Sequence, residues 1–191
     1  MKYDRYVNNK ILNNSLRPQA KFTCATTSMT QAVNTVFESN FTPKDIRDVN
    51  GWSLKKVKDG KIGNNGIVNG INTFLKKYHL NGKAEIWMDI VKFGEKNIES
   101  AWSNIKAELK NENSAIIYHM KNHYTMLAGY FEEPLNYDNI GKYEFDNRRD
   151  WIIISEQSKS WEKPIRIIRW KDIRCDIRDV DNHCLISVKK N

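Results

Sequence analysis

Residues 114–131 read SAIIYHMKNHYTMLAGYF, and this stretch carries the pattern that decides the fold. Two runs rich in β-branched and aromatic residues flank the turn MKN, which predicts two β-strands. Three further runs of similar composition follow: DWIIIS at 150–155, PIRIIRW at 164–170 and CLISV at 184–188. Turn-rich polar segments separate these runs. The second half of the chain therefore predicts an antiparallel sheet of four to six strands.

The N-terminal half has the three-to-four-residue periodicity of helices. Apolar residues recur from Ala25 to Phe37 directly after Thr23, which is a suitable N-cap residue. This pattern predicts a helix of about 14 residues that begins at Cys24. Cys24 is then in the first helical turn, off the apolar stripe.

Further start signals and stripes predict three more helices, near residues 43–49, 67–78 and 98–110. Helices followed by strands form the α+β pattern. The chain has neither an internal repeat nor a linker-like segment, so we expect a single domain over residues 1–191 in which a helical N-terminal half packs on the sheet.

The composition excludes several classes of protein. A hydrophobic share of 40% and an aromatic share of 11% exclude a disordered chain. Since an apolar run of about 18 residues is lacking and the first residues mix charges with amides, we expect no membrane insertion and no signal peptide. The protein would be cytoplasmic or exported by a non-Sec route.

The net charge of +8 favours an anionic partner. The basic residues are interleaved with acidic and apolar ones, so a solvated basic face is favoured over a nucleic-acid groove. Three cysteines without CxxC spacing argue against a disulfide scaffold or a zinc ribbon. We expect no cofactor and no metal.

Cys24 is the candidate nucleophile. A cysteine at a helix start meets unsatisfied amides and the positive end of the helix dipole, which stabilise a thiolate. Gln19 lies five residues upstream, and its side-chain amide is placed to join the Cys24 backbone amide in an oxyanion hole.

His123 is the candidate base because it opens a strand directly after a turn. With His119 it has the spacing of a helical metal pair, but the flanks are strand-like and the glutamate of HExxH is missing. A third group must orient the imidazole, and the next strand ends at Glu156 and Gln157. We choose Glu156 and keep Gln157 as the alternative third residue.

The order of these residues resembles the papain-like cysteine peptidases, and within them the bacterial C39-like branch. The matching segments are PQAKFTCATTSM, NHYTMLAGY and WIIISEQS. The resemblance implies a papain-like fold, with Gln19 in the oxyanion hole, Cys24 as nucleophile and His123 as base. Two positions depart from the pattern: Ala25 replaces the usual glycine, and Glu156-Gln157 replaces Asp-Pro.

The function implied is that of a cysteine peptidase or thiol-dependent amide hydrolase from a bacterial or phage source, with a protein or peptide substrate. One alternative is a cell-wall amidase or endopeptidase of the Cys-His type, which the positive charge favours. Another is a non-catalytic module that binds protein or nucleic acid, with nucleic acid the less favoured partner. The sequence alone leaves these alternatives open.

Overall fold

A computed structural model describes residues 4–14, 23–58, 60, 62–89, 98–120, 123–134, 148–155, 165–170 and 184–191. The elements follow one another as β1 (Arg5–Val7), α1 (Asn9–Asn13), α2 (Cys24–Phe37), α3 (Pro43–Val49), α4 (Leu54–Lys58), α5 (Gly63–Lys77), β2 (Gly82–Asp89), α6 (Ile98–Leu109), β3 (Ser114–Met120), β4 (His123–Pro134), β5 (Arg148–Ser155), β6 (Ile165–Arg169) and β7 (Cys184–Lys190).

The strands form one antiparallel sheet in the spatial order β2-β7-β3-β4-β5-β6, and β1 pairs with β4. The predicted α+β class is confirmed. The sheet has seven strands instead of the predicted four to six, because β1 and β2 come from the half of the chain that we expected to be helical. The three residues of β1 are too few to show a strand pattern, whereas β2 has four apolar residues in eight and was missed.

Helices cover both faces of the sheet. The face that packs on α2, here called the α2 face, contributes the side chains of Ala115, Ile117, Met126, Ala128 and Ile186 to one core that also contains residues of α1, α3, α4 and α5. The opposite face, the α6 face, packs on α6 with Ile116, Tyr118, Leu127, Tyr130 and Leu185. Alternation of side chains along each strand produces this division.

Helix α2 begins at Cys24 and has 14 residues, as predicted. Nearly all of its surface is buried, including polar residues that the apolar stripe did not predict to be inside. Local bonds satisfy several of these residues: the Thr30 hydroxyl donates to the Thr26 carbonyl over 2.7 Å. The side-chain amide of Gln31 donates to the Ile11 carbonyl over 2.7 Å and to the Ser155 hydroxyl over 3.0 Å. These bonds fix α2, and with it Cys24, against the sheet.

The other helix predictions are confirmed: α3 has the predicted bounds, and α6 ends one residue early. Thr42 and Asp45 form a reciprocal capping box in front of α3. Helix α5 begins at Gly63, four residues before the predicted start at residue 67. Helix α4 was not predicted, because its five residues bury only Val57. Across the described helices, the length and apolar character needed to cross a membrane are not found.

Candidate functional site

The fold brings Cys24 and His123 together. Cys24 is the first residue of α2, and His123 is the first residue of β4, paired with Met120 across the β3–β4 hairpin. The His123 side chain hydrogen-bonds the Cys24 thiol. Both residues are half-buried, so the pair lies where a packed core meets solvent. A thiol and an imidazole nearly 100 positions apart in the sequence thus share one site.

The surroundings of Cys24 favour its thiolate. Burial acts to raise the pKa of the thiol, but the hydrogen bond to His123 opposes it. The backbone amides of Tyr124 and Ala25 and the charge of His123 also favour the anion. The net effect holds the pKa of Cys24 below its ordinary value. The sulfur is therefore more nucleophilic at neutral pH than that of an unperturbed cysteine.

Tyr124 holds the start of β4 in place. Its hydroxyl donates to the Asn64 side-chain oxygen over 3.0 Å, and its ring stacks on His119 with centroids 4.2 Å apart. Burial raises the pKa of the Tyr124 hydroxyl most, and the charges of Cys184 and Cys24 raise this pKa further. Sequence reasoning missed these supports. Tyr124 was visible as an aromatic residue after His123, whereas Asn64 carried no local signal because it lies 60 positions away.

Three predicted site residues, Gln19, Glu156 and Gln157, lie outside the described residues, as does Cys175. The described part of β5 ends at Ser155, which is fully buried. Its hydroxyl accepts from Gln31 and its carbonyl accepts from the Thr125 hydroxyl over 2.8 Å. The strand pairing expected between the two segments is present, with Met126 opposite Ser155.

A second surface lies on the α2 face, at the end of the sheet formed by β1, β4, β5 and β6. One cross-strand row consists of Val7, Gly129, Ile153 and Ile167. The next row consists of Arg5, Phe131, Trp151 and Arg169. In that row Phe131 stacks on Trp151 at 5.7 Å and the Arg169 guanidinium lies 5.8 Å from the Trp151 ring centre.

This surface, here called the β6 surface, exposes large apolar side chains. Val7, Ile165 and Ile167 are 42%, 38% and 52% exposed. Val7 lines a groove of about 620 Å³ together with Phe131 and Ile153, whereas Ile165 and Ile167 adjoin each other on β6. Adjoining exposed apolar side chains are typical of an interaction site. The sequence predicted the strand but not its position at the end of the sheet.

Comparison with known protein families overturns the predicted peptidase. Residues 55–191 match the family described as basic immunoglobulin-like variable motif-containing protein. No individual curated protein matches the chain. The matched region includes His123 but begins after Cys24.

The prediction of a papain-like, C39-like cysteine peptidase is therefore wrong, and so are the predicted hydrolase or thiol protease activity and the bacterial or phage source. The family is not a known peptidase family, and the matched region does not include the Cys24 segment that suggested one. Because the match spans more than half of its length, the chain belongs to the family of basic immunoglobulin-like variable motif-containing proteins.

Proposed function

We propose that this chain is a single-domain binding module that captures an extended segment of a partner protein at strand β6. The observation that carries the proposal is the exposure of Ile165 and Ile167, at 38% and 52%, on a strand at the end of the sheet. Monomeric proteins rarely leave neighbouring large apolar side chains in water unless they meet a partner.

The mode of binding that fits this strand is β-augmentation. Among the described strands, β6 pairs only with β5, so its outer backbone groups face away from the sheet. A partner segment that adds as a further strand satisfies those groups, and its alternate side chains contact Ile165 and Ile167.

The positive charge of the chain indicates which residues the partner segment contains. The whole chain carries a net charge of +8, and β6 itself contains no acidic residue. A segment that alternates apolar and acidic residues complements this strand on both counts. The proposed partner is therefore a protein with an exposed, extended segment of that composition.

Pairing of lysines with carboxylates disfavours nucleic acid over much of the described surface, and helix α4 is the exception. Six lysines are already paired with carboxylates: Lys10–Glu38, Lys44–Asp48, Lys83–Glu85, Lys106–Glu132, Lys110–Asp4 and Lys189–Glu108. Phosphate binding needs clustered unpaired cations. Lys55, Lys56 and Lys58 on α4 form such a cluster, with no ion pair inside the described part of the chain. These lysines provide the surface against which the proposal is tested.

The narrower description of the fold is also a proposal. Cys24 at the start of α2 lies against His123 at the start of β4. This contact supports a papain-like arrangement of the helix and the sheet. The proposal concerns the arrangement of elements only, and the peptidase activity of that group is not carried over.

Substitution Ile167→Arg is expected to weaken binding of a β6 ligand at least about tenfold, since it places a charge where an apolar contact forms. The probe is a peptide selected on the immobilised chain from a display library that alternates apolar and acidic residues. Ile86→Arg is the matched control, because Ile86 is 40% exposed on β2, the strand at the opposite end of the sheet. Fluorescence anisotropy measures both dissociation constants.

Two results would overturn the proposal. One is equal weakening by Ile167→Arg and Ile86→Arg, which would mean that the peptide does not recognise β6. The other is salt-steep binding of a single-stranded oligonucleotide that a triple Lys55→Gln, Lys56→Gln, Lys58→Gln variant abolishes, with no peptide selected in parallel. That outcome would assign the binding function to α4 and to nucleic acid.

A further inference from the structure

The Cys24–His123 pair has no role in binding at β6, although its geometry is that of a reactive thiol. Three groups favour the anion of the sulfur: the His123 side chain and the backbone amides of Tyr124 and Ala25. These groups belong to separate elements, α2 and β4, which pack on each other through a common core. The site is thus built by the fold.

Cys24 is the more exposed of the two described cysteines. Cys24 is half-buried, whereas Cys184, the other described cysteine, is 3% exposed. A site of this kind admits a molecule the size of hydrogen peroxide more readily than a bulky one. Low-pKa, partly exposed thiols are those that peroxides oxidise.

We infer that Cys24 is a modification site that hydrogen peroxide oxidises to a sulfenic acid, with His123 as the proton donor. This inference is independent of the β6 proposal, since it uses a different surface of the fold. It assigns to the thiol–imidazole pair a role as a redox-responsive group.

The reaction balances without a further reactant. The Cys24 thiolate attacks one oxygen of the peroxide, so an S–O bond forms and the O–O bond breaks. Sulfur is oxidised to the sulfenic acid, and the departing oxygen is reduced to hydroxide. The His123 imidazolium gives its proton to that hydroxide, which leaves as water, and a neutral imidazole remains.

The sulfenic acid is expected to condense with an external thiol such as glutathione, releasing water and forming a mixed disulfide. Cys184 is enclosed in the core on the α2 face at 3% exposure, so the external thiol is the proposed partner.

The test is a time course of dimedone labelling in hydrogen peroxide at about pH 6, read by peptide mass spectrometry. Cys24 is expected to be labelled at least about tenfold faster than Cys184. In His123→Ala the labelling rate of Cys24 is expected to fall about threefold for each unit by which the pKa of the thiol rises. Each unit lowers the thiolate fraction about tenfold, but a more basic sulfur is also more nucleophilic, which offsets part of that loss.

A thiolate titration by ultraviolet absorbance, with circular dichroism to check folding, separates loss of activation from loss of structure. His79→Ala is the matched control, because His79 ends the turn after α5 and does not contact Cys24 in the described structure. Equal labelling of Cys24 and Cys184 would overturn the inference, and so would an unchanged rate in folded His123→Ala. Recovery of a Cys24–Cys184 disulfide in place of a glutathione adduct would overturn the proposed fate of the sulfenic acid.

Discussion

Trp102→Ala is expected to lower the free energy of unfolding by about 3 to 5 kcal/mol. Trp102 is 1% exposed at the centre of the α6 face. Its ring stacks on Trp170 with centroids 5.1 Å apart and meets Tyr130 edge-on at 5.8 Å. Alanine would leave a cavity beneath α6 that the rigid sheet cannot close. Urea denaturation followed by circular dichroism measures the change.

Trp102→Phe is the matched control for this prediction. The Trp102 indole N–H has no hydrogen-bond partner within the described residues, so phenylalanine removes a buried donor that is unsatisfied there and keeps most of the apolar volume. We expect a loss of only about 1 kcal/mol. If alanine and phenylalanine cost the same small amount, Trp102 is not the anchor of α6 and the packing on this face is looser than described.

Local patterns predicted the elements that are extensively buried. Helix α2 was found from its stripe and its start at Cys24, and β3 and β4 from their apolar runs. The elements that were missed bury little of their own surface. Helix α4 buries only Val57, and β2 contributes Ala84 between two half-exposed or exposed charged residues. Contacts with neighbouring elements determine the conformation of such segments, and the periodicity of the sequence does not predict those contacts.

In the candidate site, too, the sequence predicted some contacts and missed others. The meeting of Cys24 and His123 follows from a helix start and a strand start, both of which carry local signals. The supports of the site, Asn64 beneath Tyr124 and Gln31 on Ser155, depend on tertiary contacts across 60 and 124 positions. Spacing alone could not predict them, because loop lengths between packed elements are not constrained by the chemistry of the residues at their ends.

The function could not be predicted from the same residues. A cysteine, a histidine and an acid in order are few constraints, and local catalytic signatures do not transfer between families. The family match covers residues 55–191 and so depends on the sheet and α6 more than on the cysteine helix. The surface proposed to bind a partner is visible only after β1, β4, β5 and β6 are placed side by side. Exposure of Ile167 is a property of that placement and not of the sequence IRIIR.

Gly129→Ala is expected to destabilise the chain by about 1 to 3 kcal/mol and to detach β1 from β4. An added Cβ at Gly129 would lie 2.3 Å from the Tyr6 carbonyl oxygen and 3.0 Å from the Val7 Cα. Both atoms belong to backbone, so neither can turn aside as a side chain can. The strand must move away, and Val7 moves out of the β6 surface with it.

Two measurements follow this change. Hydrogen exchange at the Asn8 amide, which donates to the Ala128 carbonyl over 2.8 Å, should accelerate because this bond borders β1. Affinity for the selected β6 peptide should change less than about twofold, since β4 and β5 separate β1 from β6. Gly66→Ala is the matched control: its Cβ would meet only the Ile62 side chain at 3.0 Å, within a helix where alanine gains up to about 1 kcal/mol over glycine. Full protection of Asn8 in Gly129→Ala would show that β1 does not pack on β4 as described.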